Sequence, residues 1–159
     1  MKDRYIDMHK RGELSVSGES TVQVGPWLRQ VWEQLVGDAE VRALVCDRFR
    51  QAELQDALAA AGIRVPVVWR GQGYRDGGQD VEGFRKAVFD GVVRTVPSLL
   101  LRSAAADALV VMDDALNAKL TKSRSAGRID AIAASILAVA EGRRFMSKPV
   151  KIARAPIWA

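Results

Sequence analysis

A strand, helix, strand pattern over residues 41–69 constrains the fold more than any other feature of this chain. Residues 41–46 end in a dense apolar run with the length and composition of a buried strand, and residues 63–69 form a second strand-like run. Between them, apolar residues recur at helical spacing over residues 51–61, and Gly62 marks the end of that helix. Units of this kind form parallel sheets with right-handed crossovers, so we predict an α/β fold.

Two acidic residues lie beside apolar segments, where a carboxylate is unexpected unless it has a specific role. Asp47 directly follows the first strand, at the carboxyl edge where parallel sheets bind ligands. Asp130 begins an otherwise apolar, alanine-rich helix predicted for residues 129–140. Strand-end and helix-start acids that converge hold divalent metal in many nucleases. From the residues alone two other interpretations stay open, with Asp47 capping the next helix and Asp130 interacting with a helix dipole.

Composition excludes several classes of protein. At 159 residues the chain is about one domain long, and no apolar segment approaches the roughly 20 residues of a membrane span. The N-terminus lacks the apolar segment of a secretory signal, so we expect a cytoplasmic protein. One cysteine, Cys46, and one histidine, His9, cannot supply the usual ligands of a zinc site, so any metal would be oxygen-bound. A net charge of +5 permits a polyanionic partner.

Glycine and proline set the boundaries of further predicted elements. An apolar face at helical spacing predicts a helix that begins near Pro26 and ends at Gly37. Residues 70–78 are rich in glycine and predict a flexible loop, near which we expect Asp76 and Asp80 to be exposed. The other predicted elements are an edge strand or hairpin arm at residues 12–17, a helix at 81–89, a helix or helix pair at 96–111, a short strand at 116–121 and an extended tail from 142.

Several short motifs occur in an order shared with a known family. They are Tyr5 with Gly12-Glu-Leu14, Leu44-Val-Cys-Asp47, Leu58 with Ala61-Gly62, Gly71-Gln-Gly73, Phe89-Asp-Gly91, Asn117, Lys122 and Arg128-Ile-Asp130-Ala-Ile-Ala-Ala134. Together they resemble the C-terminal nuclease domain of the large terminase subunit of tailed bacteriophages, over roughly residues 5–141. The most specific part is Arg-Ile-Asp followed by the alanine-rich helix.

The resemblance implies a ribonuclease H-like fold in which carboxylates bind two Mg²⁺ or Mn²⁺ ions. Carried over by motif, Asp47 and Asp130 are the expected catalytic and metal-binding acids. Lys122 and Arg128 lie where basic residues could contact DNA phosphates, an inference from position and charge. In-line hydrolysis of a phosphodiester uses one ion to lower the pKa of the attacking water and a second to stabilise the leaving oxygen.

The sequence also departs from the family pattern. The first metal-binding Asp of the family lies on the first strand of its sheet, and this chain begins after that strand and the two that follow it. We therefore expect a partial ribonuclease H-like sheet with helices on both faces, lacking the first three strands of the family fold. Residues 1–141 would form the truncated nuclease-like domain, and residues 142–159 a basic extended tail. The uncovered strand edge would recruit residues 12–17 or a second copy of the chain.

Three functions fit these residues. The first is part of a phage or prophage terminase nuclease domain that cuts double-stranded DNA during genome packaging in the bacterial host, and that is inactive alone because the first acid is absent. The second is a non-catalytic DNA-binding or assembly module that keeps the fold and the basic surface. The third is a split enzyme completed by a separate N-terminal ATPase or nuclease half. The terminase small subunit and the portal are further expected partners.

Overall fold

The structure is a computed structural model that describes residues 2–18, 20–37, 40–121 and 128–147. In these residues it forms a mixed α/β fold of six helices and two small sheets. The helices are α1 (Lys2–Lys10), α2 (Val24–Val36), α3 (Gln51–Ala61), α4 (Tyr74–Phe89), α5 (Leu99–Asp107) and α6 (Asp130–Ser147). The strands are β1 (Leu44–Asp47), β2 (Val67–Arg70), β3 (Leu109–Met112) and β4 (Ala118–Thr121).

The predicted strand, helix, strand unit is confirmed as β1, α3 and β2. The two strands pair in parallel, with Leu44 beside Val67 and Asp47 beside Arg70. Gly62 ends α3 in the left-handed conformation, with φ +72, and its N–H donates to the carbonyl of Ala59. A glycine adopts this backbone conformation at little steric cost, which explains the correct prediction of the helix end.

The second sheet is an antiparallel hairpin of β3 and β4. The strand predicted at residues 116–121 is confirmed as β4, whereas the helix predicted through residue 111 is wrong in its last part. There α5 ends at Asp107 and the chain continues as β3. Apolar runs this short fit a strand and a buried helix equally well, so periodicity alone does not separate them.

The core gathers around α6, which packs against α4, α5 and β1. Ile129, Ile132 and Ile136 are buried, as the helical spacing predicts, and form a cluster with Val81 of α4 and Ala104 of α5. Partly buried residues of the β3–β4 hairpin extend this cluster. The last helix of the described chain therefore connects α4 and α5 to the parallel sheet.

Several predicted boundaries are wrong. The helix α4 begins at Tyr74, seven residues before the predicted start, so most of the expected glycine loop is helical. The helix α6 continues through Gly142 to Ser147, so the extended tail expected from residue 142 is wrong for residues 142–147. The remaining tail residues, 148–159, lie outside the described residues. An isolated glycine lowers helix propensity without forbidding the helix.

The N-terminal segment differs most from its prediction. Residues 12–17 form no strand, and α1 before them was not predicted. In the part of the chain that the structure describes, β1 pairs with β2 alone, so the expected cover by residues 12–17 is wrong. Pairing with a second copy stays a prediction, as does the ribonuclease H-like order with helices on both faces. None of the described helices is long and apolar enough to cross a membrane.

Candidate functional site

A cavity of about 380 Å³ opens at the carboxyl end of the parallel sheet. Its walls come from β1, the loop after β2, α4, β4 and α6. The lining residues are Asp47, Gly71, Gln72, Gly77, Asp80, Val81, Lys119, Leu120, Thr121, Ile129, Ala133, Ile136 and Leu137. This is the position at which open α/β sheets bind ligands.

Asp47, the last residue of β1, places a half-buried carboxylate in this cavity. Its Oδ1 accepts a hydrogen bond from the backbone N–H of Phe49 at 2.9 Å, and its Oδ2 accepts one from the side-chain amide of Gln72. Both donors are neutral, and no ion pair to Asp47 is present within the described ranges. Among the described residues, the carboxylate is thus held in place by neutral donors.

The loop that carries Gln72 is anchored, in contrast to the predicted flexible loop. The backbone N–H of Gly71 donates to Oδ2 of Asp76 at 3.1 Å, and Asp76 lies in the first turn of α4. A Cβ atom at position 71 would lie 2.7 Å from that same oxygen, so a larger residue there would require the Asp76 side chain to move. Asp76 therefore fixes the loop and, through it, the amide that binds Asp47.

Asp80 is buried rather than exposed, which corrects the expectation from the sequence. Its side chain is 1% exposed and receives two arginines. The Nε and Nη2 of Arg70 donate to its two oxygens at 3.2 and 3.0 Å, and Nη2 of Arg144 donates to Oδ1. Arg144 also donates to Glu141 at 3.1 Å. Paired guanidinium groups are what make a buried carboxylate tolerable.

The other predicted site residues are placed less directly. Asp130 is exposed in the first turn of α6, and its near neighbours Ile129 and Ala133 both line the cavity that contains Asp47. Arg128 is exposed just before that helix. Lys122 lies outside the described residues. The structure thus brings the start of α6 to the cavity of Asp47.

Sequence reasoning missed Lys119, which lines the same cavity from β4. Its ammonium lies 4.2 Å from the centroid of the Tyr74 ring, at the start of α4. The face of an aromatic ring attracts a cation electrostatically, so this contact favours one position of the ammonium group. The sequence signal that could have identified Lys119 was a single lysine between two apolar residues of a short strand. Lys119 therefore adds a basic side chain to the cavity that Asp47 also lines.

Cys46 behaves as the composition predicts for a lone cysteine in a strand. It is partly buried in β1, and burial, followed by the neighbouring Asp47 charge, raises the pKa of its thiol. A raised pKa keeps the side chain in the neutral thiol form near pH 7, and the thiol is a poor nucleophile. In this position Cys46 packs as a small apolar side chain does.

Comparisons with known proteins identify the family. Residues 10–145 match the family described as "Terminase large subunit, endonuclease domain". The chain belongs to this family. A curated relative, the large terminase subunit of Enterobacteria phage HK97, is 34% identical over 106 residues, which is 67% of this chain and 21% of the relative. The crystal structure of the HK97 large terminase superposes with a TM-score of 0.78 at 29% identity, over 86% of this chain and 28% of that one.

The chain therefore spans about a quarter of the length of the terminase large subunits that it matches. The matched family region includes both Asp47 and Asp130, together with all the residues that line the cavity. The tailed-phage terminase resemblance is thus confirmed as membership of the endonuclease-domain family.

The two predicted acids carry the type of ligand atom that a divalent cation binds, and of these two Asp47 lines the cavity while Asp130 lies beside it. Asp47 and Asp130 offer carboxylate oxygens, which are the ligands that Mg²⁺ and Mn²⁺ prefer. Within the described part of the terminase domain, no group of three or more acidic, histidine or cysteine side chains is arranged to hold a metal ion. The two predicted acids could therefore contribute to one cation site, and a two-ion centre would need further oxygen ligands.

Proposed function

We propose that this chain is part of the nuclease domain of a phage terminase large subunit, a protein that cuts double-stranded DNA during genome packaging in the cytoplasm of the bacterial host, and that the chain alone cleaves weakly or not at all. The observation that carries the proposal is the cavity shared by the end of β1 and the start of α6. It joins the strand-end acid Asp47 to the helix that begins with Asp130. Family membership supports the same reaction class.

Five residues that line the cavity or lie beside it have a proposed task. Asp47 and Asp130 would hold Mg²⁺ or Mn²⁺, and Gln72 would orient the Asp47 carboxylate by donating to it. Lys119 and Arg128 would bind phosphates of the DNA backbone, since a cation at a cavity wall and one beside its helix suit a polyanion. A bound divalent ion supplies Lewis-acid activation of water and phosphate.

The test of the cation site is Mn²⁺ binding to the 159-residue chain, followed by electron paramagnetic resonance. We expect binding that Asp47→Asn and Asp130→Asn each weaken about tenfold or more, because each removes a charged oxygen ligand. Asp56→Asn, at an exposed acid of α3, is the matched control and should leave binding unchanged. Equal binding in wild type and Asp130→Asn would remove Asp130 from the site.

Cleavage itself is measured with supercoiled plasmid and Mn²⁺. We expect weak or absent cleavage by the chain alone, because two acids leave a metal pair under-coordinated. Robust cleavage that Asp130→Ala abolishes would show that another acid completes the site. This result would contradict the proposed inactivity while supporting the proposed reaction.

A second candidate function is a non-catalytic DNA-binding or assembly module. The absence of a three-ligand metal group among the described residues favours it. DNA binding that is indifferent to Mn²⁺ and to Asp47→Asn would select this function over the nuclease. Partners proposed for either function are double-stranded DNA, an ATPase or nuclease half, the terminase small subunit, the portal, and a second copy of the chain at the open edge of β1.

A further inference from the structure

The proposed cation site has an arginine beside its central acid. Arg70 and Asp47 are paired neighbours at the carboxyl ends of β2 and β1. Neighbouring strands lie about 4.8 Å apart, and paired residues of parallel strands direct their side chains to the same face of the sheet. A guanidinium at this position is within reach of the Asp47 carboxylate. An ion pair between them would neutralise the charge that a divalent cation needs.

Arg70 is instead turned to the buried acid of α4. Two of its nitrogens donate to the two oxygens of Asp80, at 3.2 and 3.0 Å, and its side chain is 17% exposed. A two-point contact of this kind fixes the guanidinium plane as well as its position. Asp76 adds a second carboxylate 3.9 Å from the same guanidinium. Among the described residues, the hydrogen-bond donors to Asp47 are neutral: the Phe49 N–H and the Gln72 amide.

We propose that Asp80 is a positioning residue, which holds Arg70 away from Asp47 and so leaves the Asp47 carboxylate available to a divalent cation. The part of this inference that concerns the cation rests on the proposed function. The part that concerns the choice of Arg70 between two acids stands on the ion-pair geometry alone.

The surrounding charges favour this arrangement. Asp80, Asp76 and Glu141 provide three carboxylates for the two guanidinium groups of Arg70 and Arg144, so neither arginine needs Asp47 as a partner. A purely structural role, joining α4 to α6 through Arg144, would explain the burial of Asp80. It would not explain why the arginine next to the candidate metal ligand is the one that is held by both oxygens.

The test compares Mn²⁺ affinity in four variants of the full chain. Asp80→Asn should lower the affinity about tenfold, because the released Arg70 pairs with Asp47. Arg70→Gln should leave it unchanged, and Arg70→Gln with Asp80→Asn should restore it to within about twofold of wild type, because no arginine remains to occupy Asp47. Glu82→Gln, at an exposed acid of the same helix, is the matched control.

The double variant separates positioning from structure. Loss of binding in Asp80→Asn that the second change does not rescue would overturn the proposal. So would a folded double variant beside an unfolded Asp80→Asn, because it would show that the freed Arg70 finds no partner in Asp47. Unfolding of both variants would assign Asp80 to the α4–α6 contact and likewise overturn the proposal.

A measurement without metal distinguishes this inference from the proposed function. Urea unfolding of wild type, Asp47→Asn, Asp80→Asn and the corresponding double variant forms a double-mutant cycle. We expect Asp47→Asn to destabilise the Asp80→Asn protein more than it destabilises wild type, since Arg70 then depends on Asp47. Additive effects would overturn the proposal. Absent Mn²⁺ binding in wild type, with this coupling present, would remove the proposed metal function and keep the positioning role of Asp80.

Discussion

At the scale of single residues, Glu13 ties the N-terminal segment to a distant helix. Its Oε2 accepts hydrogen bonds from the backbone N–H of Leu100 at 2.8 Å and from the hydroxyl of Ser98 at 2.7 Å. Ser98 is itself the N-cap of α5 and accepts from Leu101. These donors, first of all the Leu100 N–H, lower the pKa of the Glu13 carboxyl. The charged form of Glu13 therefore stabilises the start of α5.

We expect Glu13→Gln to lower the melting temperature at pH 7. Because the folded pKa of Glu13 is depressed, its stabilisation is present above the unfolded pKa of about 4.3 and is lost as the pH falls through the lower folded pKa. The difference in melting temperature between wild type and variant should therefore shrink as the pH falls from about 5 to about 3, the range in which this carboxyl takes up its proton. Circular dichroism melts measure it, with exposed Glu33→Gln as the control. An equal difference at both pH values would contradict the prediction.

Single residues also differ in whether their place in the candidate site can be predicted from the sequence. Asp47 ends a strand and Asp130 begins a helix. Both elements can be recognised from the local sequence pattern, so the positions of the two acids could be predicted. The burial of Asp80 could not, because it depends on Arg144, 64 residues away. Such a contact exists only after α4 and α6 have packed. Lys119 was missed for the same reason, since Tyr74 reaches it through the tertiary fold.

At the scale of elements, one acidic residue, Asp113, accepts the hydrogen bonds that hold the turn of the β3–β4 hairpin. Oδ1 of Asp113 accepts from the backbone N–H groups of Ala115 and Asn117 at 3.1 and 2.8 Å. The Asn117 side chain, followed by those N–H groups, lowers the pKa of Asp113. Leu116 in this turn has φ +62 and is 77% exposed. A leucine in the left-handed conformation is strained, and here no burial offsets the strain.

We expect Leu116→Gly to raise the free energy of unfolding by about 0.5–1 kcal/mol, since relief of the backbone strain exceeds the added entropy of the unfolded chain. Ala115→Gly is the matched control in the same turn, at a residue that does not have a positive φ, and should lower the free energy by about 0.5–1 kcal/mol. Urea titration measures both. A destabilised Leu116→Gly would show that its side chain makes a contact that outweighs the strain.

Element boundaries show where local pattern fails. The end of α3 is predicted correctly because Gly62 has a local role. The start of α4 is not, because Gly77 and Gly78 lower helix propensity yet lie inside the helix. A Cβ atom at position 78 would lie 3.1 Å from the carbonyl oxygen of Ala118. Gly78 therefore serves the close packing of α4 on β4, a tertiary reason that no local propensity contains.

At the scale of the whole molecule, a net charge of +5 favours a polyanion, and two described basic residues lie at or beside the cavity. We expect DNA binding that weakens as salt increases and that depends little on base sequence. Lys119→Ala and Arg128→Ala should each reduce the magnitude of the salt slope by roughly 0.9. Lys86→Ala, an exposed lysine of α4 that does not line the cavity, is the control.

Fluorescence anisotropy across a salt series measures these slopes. Unchanged slopes in Lys119→Ala and Arg128→Ala would show that both residues belong to an ordinary solvated surface and do not bind DNA phosphates. A slope that falls equally in Lys86→Ala would assign the binding to the overall charge of the molecule rather than to the cavity. The contribution predicted for Lys122 is measured in the same way.

The position of α6 in the chain has a consequence for how the protein is made. The helix follows α4, α5 and β1, the elements on which it packs. During synthesis at about 5–20 residues per second, Val81 is made roughly 2–10 s before Ile129 and its neighbours exist to cover it. Over that interval the nascent chain presents an uncovered apolar face, the kind of surface that chaperones bind. In the described part of the chain, this cluster can therefore form only after both sheets have been synthesised.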